Sequence, residues 1–90
     1  MTIKKEGASG TFEKSDAYIR VLPNEVGREI EIQKIPHPRF LERETAYIRE
    51  ILDRYDMEHV RVEVQDFGAL DFVIEARLIT AIEAAGGTEV

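Results

Sequence analysis

The run Val60-Arg61-Val62-Glu63-Val64-Gln65 alternates apolar and polar residues without interruption. β-Branched side chains at a period of two describe a half-buried strand, with the valines on one face and Arg61, Glu63 and Gln65 on the other. Such a strand cannot stand alone, because its edges need neighbours and its valine face needs a covering layer. Two further strands can be read upstream. Ser15 to Leu22 sets Ala17, Ile19 and Val21 against Asp16, Tyr18, Arg20 and Leu22, and Glu29 to Ile35 turns Ile30 and Ile32 inward. Between them, Pro23-Asn24-Glu25-Val26-Gly27 carries the residues that turns require, so the spacing predicts a hairpin.

The covering layer is helical. Pro36-His37-Pro38 cannot continue a ladder, since proline lacks the N–H, but Pro38 is suited to the first turn of a helix. From Arg39 to Tyr55, Phe40, Leu41, Ile48, Ile51, Leu52 and Tyr55 recur at helical spacing, with Tyr47 at the margin. Glu50 and Arg54 stand i, i+4 on the wet side, in the order that favours an ion pair. Glu44 interrupts the apolar stripe. It reads either as a carboxylate at the rim of the core, reaching water along its stem, or as a partner contact or acid/base group.

Asp66-Phe67-Gly68-Ala69 reads as a turn, with Gly68 at positive φ and Asp66 bonded to local backbone. The next segment carries two overlapping periods. Leu70, Phe72, Ile74, Ala76 and Leu78 alternate as in a strand, while Ala76 to Ala85 has helix-forming composition. The favoured reading is a strand over 70–77 passing into a helix near Arg77; a single helix from Asp71 is the alternative. Gly86-Gly87 supplies a helix stop, and Thr88-Glu89-Val90 is expected to fray. Met1 to Phe12, with Gly7, Ser9 and Gly10 and no periodicity, reads as a mobile arm. The expected architecture is one small two-layer α+β domain over residues 1–90, an antiparallel or mixed sheet with two helices on one face, ordered ββαββα or, alternatively, ββαβα.

Composition narrows the chemistry. Twelve Lys and Arg against eighteen Asp and Glu give a net charge of −6, which argues against a nucleic-acid partner. No apolar run approaches a membrane span, and no apolar core of a signal peptide follows the first lysines, so a cytoplasmic protein is expected. The absence of cysteine excludes disulfides, thiolate metal sites and thiol nucleophiles. A chain of 90 residues has little volume for a deep catalytic pocket, which favours a module working on a larger partner over a free-standing enzyme. The hydroxyls Ser9 and Ser15 and the imidazoles His37 and His59 show no triad spacing, and no metal-binding spacing is present. Asp66-Phe67-Gly68 matches a kinase metal-binding triplet only by accident, since no phosphate loop or catalytic loop accompanies it. Ser15 stands out for another reason. A serine between a flexible arm and the first strand offers a reachable hydroxyl, and attachment by a separate enzyme needs nothing more.

Ala8-Ser9-Gly10-Thr11-Phe12-Glu13-Lys14-Ser15-Asp16, Tyr18-Ile19-Arg20-Val21, and Val64-Gln65-Asp66-Phe67-Gly68-Ala69-Leu70-Asp71 with Ala76-Arg77 resemble the acyl carrier (gamma) subunit family of citrate lyase. The related malonate decarboxylase carrier subunit shares less. The resemblance implies a non-catalytic carrier whose serine, here Ser15, holds phosphoribosyl-dephospho-CoA through a phosphodiester. It also implies acetyl and citryl thioesters passed between an acyl/CoA-transferase (alpha) subunit and a lyase (beta) subunit, and a prosthetic-group transferase that installs the arm. One departure stands out. The family's modified serine usually lies two residues before the aspartate matching Asp16, a place held here by Lys14, with Ser15 displaced by one. A divergent, cofactor-free scaffold subunit of a lyase complex is therefore the alternative.

Overall fold

The computed structural model of the chain describes residues 2–87; the Thr88-Glu89-Val90 tail and Met1 lie outside the described residues. Gly7–Gly10 (β1), Ala17–Pro23 (β2), Arg28–Lys34 (β3) and Val60–Asp66 (β4) form one sheet in the order β1-β2-β4-β3, joined by helices Leu41–Arg54 (α1) and Asp71–Ala84 (α2). The sheet is mixed. β2 pairs antiparallel with β1 and with β4, whereas β3 runs parallel to β4. The α+β class and the mixed sheet agree with the sequence reading, and the element order is the shorter alternative with one strand added in front.

One face of the sheet meets both helices. Ala17, Ile19 and Val21 of β2 and Val60, Val62 and Val64 of β4 join Ile48, Ile51 and Leu52 of α1 and Ile74, Leu78, Ala81 and Ile82 of α2 in a single buried cluster. Each fully buried aliphatic side chain of this kind stabilises the fold by about 1.5–3 kcal/mol. The other face is polar, as the alternation predicts. Arg20 and Arg61 both bond Glu63, and Arg61 also bonds Glu29 and Glu31. Among the described residues no helix is long and apolar enough to cross a membrane.

Four sequence expectations are corrected. First, β2 and β3 do not form a hairpin; β4 lies between them. Skipping one strand means crossing about 10 Å, which the residues of the 24–27 connection can span. That connection passes over the start of β4 and bonds to it, the Asn24 N–H to the His59 carbonyl (3.3 Å) and the Val60 N–H to the Gly27 carbonyl (3.2 Å). The strand with three fully buried valines thereby gains a ladder on both edges.

Second, the N-terminal segment is not a free arm. Gly7–Gly10 pairs with Gly7 opposite Val21 and Gly10 opposite Tyr18, Ile3 is buried, and the Lys4 N–H reaches the Ala85 carbonyl at 3.2 Å. The glycines that read as permissive serve close approach. A Cβ on Gly7 would lie 2.3 Å from the Ala81 carbonyl oxygen in α2, and one on Gly10, at φ 109°, would lie 1.8 Å from the Ala17 oxygen.

Third, residues 71–77 are helix rather than strand. Ile74, Leu78, Ala81 and Ile82 are buried at helical spacing, while Leu70 and Phe72, two members of the alternating set, are 63% and 69% exposed. Both edges of β4 are already paired, so a returning strand had no place beside it. The helix ends where the glycines predict. With Gly86 at φ 79°, the Gly87 N–H bonds the Ile82 carbonyl and the Gly86 N–H the Glu83 carbonyl, a Schellman closure.

Fourth, the close ion pair of Arg54 is with Glu75 of α2 at 2.8 Å, tying the two helices together, while the expected Glu50 acts on it only as a nearby charge. A single 3-10 turn, Pro38–Phe40, precedes α1, with His37 Nδ1 accepting from the Arg39 N–H at 3.1 Å. Phe40 and Leu41 remain exposed before the helix meets the core.

Candidate functional site

Residues 11–16 link β1 to β2 and lie against the turn that follows β4. Within this loop Ser15 adopts φ 70°, a left-handed conformation uncommon outside glycine, and its side chain is exposed. Its backbone is fixed. The Ser15 N–H bonds the Phe67 carbonyl at 2.8 Å, and the Phe67 N–H bonds the Asp16 carbonyl at 2.9 Å. The Asp16 N–H closes a turn on the Glu13 carbonyl, and the Glu13 N–H bonds Thr11 Oγ1 at 3.2 Å. Ser15 thus sits at a rigid loop corner before the strand begins. The face alternation of a strand, which would separate Lys14 from Ser15, does not operate here, and both side chains reach solvent.

Asp16 anchors the corner. Its Oδ1 accepts from Arg77 Nε (3.0 Å) and from the Ala17 N–H (2.7 Å), and its Oδ2 accepts from Arg77 Nη2 (2.8 Å) and Thr11 Oγ1 (2.7 Å). Four donors on one carboxylate, led by the forked guanidinium, hold its pKa well below the ordinary aspartate value. This fork ties the loop to α2 across 61 positions of sequence.

Asp66 closes β4 directly opposite Ala17 and is 7% exposed. Its Oδ1 accepts the N–H groups of Gly68 (2.9 Å) and Ala69 (2.8 Å), which shapes the turn around Gly68 at φ 95°. Glu44 of α1 is 8% exposed, and its Oε2 has no partner among the described residues. Burial first, and then hydrogen bonding to Asp66 and that residue's negative charge, push Glu44 up to about 8. At neutral pH the Glu44 carboxyl therefore keeps its proton. Glu44 lies at the edge of the core as the first sequence reading has it, but its carboxyl is enclosed beside Asp66 and does not reach water.

Beside Lys14 opens a shallow groove of about 790 Å³, lined by Lys14, Gln33, Lys34, Ile35, Pro36, Asp66 and Phe67. Lys34 Nζ stands 5.7 Å from the centre of the Phe67 ring. Phe12, 62% exposed, packs edge-on to Phe67 at 5.8 Å and against Tyr18 at 4.8 Å. Sequence reasoning missed Lys34 and Phe67 as parts of one feature, since β3 and the post-β4 turn become neighbours only through the parallel pairing.

The other polar candidates lie apart. Ser9 sits in β1 opposite Ile19, His37 caps the 3-10 turn, and His59 precedes β4, with no hydrogen bond joining any two of them among the described residues.

Residues 4–85 match the acyl-carrier family described as Malonate decarboxylase delta subunit. The chain is also similar to proteins named citrate lyase acyl carrier protein. It is 40% identical to that of Leuconostoc mesenteroides subsp. cremoris over 94% of this chain and 88% of the relative. For Lactococcus lactis subsp. lactis the identity is 38% over the same shares, and for Latilactobacillus sakei subsp. sakei it is 35% over 99% of this chain and 88% of the relative.

Proposed function

From the premise that this chain belongs to the acyl-carrier family described as Malonate decarboxylase delta subunit, we propose that it is the acyl carrier subunit of a citrate lyase-type complex, with Ser15 as the attachment point of phosphoribosyl-dephospho-CoA. The subunit has no reaction of its own to catalyse. When bound, the group would supply a thiol on a long arm, on which acetyl and citryl units travel as thioesters between the transferase (alpha) and lyase (beta) subunits. Tethering makes each delivery intramolecular, at effective concentrations of about millimolar for short flexible links.

The observation that carries the reading is the Ser15 corner: an exposed hydroxyl held by a backbone that is bonded to Phe67 on both sides. A prosthetic-group transferase needs an accessible oxygen that can bond to phosphorus, and Ser15 offers one. The neighbouring Lys14 offers an amine, which cannot make a phosphodiester. The Asp16–Arg77 fork keeps the corner in place while the arm swings.

Intact-mass measurement on protein co-produced with its prosthetic-group transferase tests the proposal. The expected result is one added prosthetic group, absent from the Ser15→Ala variant. A chain that stays unmodified and still co-purifies with a lyase would be the cofactor-free scaffold, and the Lys14 substitution would then mark the loss of the arm.

A further inference from the structure

We propose that the groove lined by Lys14, Gln33, Lys34, Ile35, Pro36 and Phe67 is a seat for an adenine nucleotide, and that it holds the nucleotide end of the arm between deliveries. The inference rests on Ser15 as the attachment point only for the identity of the arm. In that group the phosphoribosyl and adenosine parts lie nearest the protein and the thiol lies farthest away, so a groove one residue from the anchor meets the nucleotide.

The lining suits that chemistry. At about 790 Å³ the groove falls within the range of small-molecule sites. Two lysines face it in a chain of net charge −6, and neither has a carboxylate partner among the described residues. Ammonium groups without a carboxylate partner match phosphate oxygens. The half-buried Phe67 ring, with Lys34 Nζ over it and Phe12 edge-on to it, sets an aromatic surface and a cation together for a base and its phosphate, while Ile35 and Pro36 form an apolar wall and the exposed Gln33 amide can meet a base edge. The acidic lining residue, Asp66, is engaged by the Gly68 and Ala69 N–H groups. The Ser15–Phe67 backbone bond fixes the anchor relative to the ring.

An open groove binds weakly, and weak binding suits the task. A dissociation constant on the order of 1 mM, set against an effective concentration of about the same size, parks the arm roughly half of the time and releases it readily.

The test uses the full chain produced without its transferase, followed by amide NMR while free dephospho-CoA, pantetheine or inorganic pyrophosphate is added. The expected result is saturable shifts at Lys14, Gln33, Lys34 and Phe67 with dephospho-CoA, unaltered resonances at these positions with pantetheine, and binding at least tenfold weaker in a folded Lys34→Glu variant. The seat is overturned if these resonances stay still, if pantetheine moves them equally, or if Lys34→Glu binds as tightly as the unaltered chain. Pyrophosphate that reproduces the whole response would reduce the seat to a phosphate contact and overturn the nucleotide assignment. The two readings fail separately. Binding in the groove by a chain never modified at Ser15 removes the attachment and leaves the seat, whereas an installed arm with a silent groove removes only the seat.

Discussion

Asp16, at the start of β2, and Glu44, against the end of β4, both have little access to solvent, and their surroundings drive them in opposite directions. Asp16 receives a forked guanidinium, a hydroxyl and a backbone N–H, and its charge is held. Glu44 forms no ion pair among the described residues, and the neighbouring Arg43 charge is outweighed. It is buried against Asp66, whose own oxygen is already occupied by two backbone donors, and it answers by keeping its proton. The difference shows that the number and sign of the donors decide the charge of a half-enclosed carboxyl, with burial alone pushing toward the neutral form. The charged member secures the anchor loop to α2, and the neutral member joins α1 to the turn that floors the groove.

The largest expected effect concerns pH. In the folded chain Glu44 holds its proton up to about pH 8, whereas in the unfolded chain it releases it near 4.5. Between those values the folded state binds more protons, so stability falls as pH rises through the window, by on the order of 4 kcal/mol in total. Denaturant titrations at pH 5 and pH 8.5 measure this, and Glu44→Gln should flatten the dependence and be the more stable protein at pH 8.5. A wild-type profile that stays flat would erase the contrast with Asp16.

Asp16→Ala should rank next. It leaves the Arg77 guanidinium, the Thr11 hydroxyl and the Ala17 N–H without their acceptor, and a fall in Tm on the order of 10 °C is expected. Arg77→Lys keeps the charge and loses the fork, giving a smaller fall and an Asp16 carboxyl resonance that titrates closer to the ordinary aspartate range. Because the Asp16 pKa is depressed, its contribution is present above the unfolded-state value near 3.8 and is lost as pH falls toward the lower folded value, opposite in sense to Glu44. The smallest effect sharpens the comparison by omission. Arg43 forks onto Asp71 with bonds of 2.9 and 3.1 Å, yet their side chains are 62% and 47% exposed, so Arg43→Ala should shift Tm by no more than about 2 °C. A larger shift would show that fork geometry matters more than enclosure.

Much of this was legible in the residues. The valine alternation of 60–65 and the Ala17, Ile19, Val21 alternation gave two strands with the right faces inward, and the Gly86-Gly87 stop fell where the backbone closes. The motif around Ser15 and Asp66 marked the loops that meet at the corner. Gly7–Gly10 was illegible as a strand because its signal is the absence of side chains, required by an α2 backbone that sequence does not place there. Residues 70–77 carried two periods at once, and only the occupied edges of β4 chose between them.

By itself, then, the sequence determined which residues of β2 and β4 turn inward, where chain direction changes, and that a hydroxyl follows Lys14 at a loop boundary, because these depend on side-chain period and on the local stereochemistry of Gly, Pro, Asn and Asp. Tertiary structure alone decided that β4 enters between β2 and β3, that Arg77 reaches Asp16, and that Lys34 and Phe67 share a groove with Lys14. Those pairings join residues far apart in the chain, and their free energy arises only when competing partners have been excluded by packing.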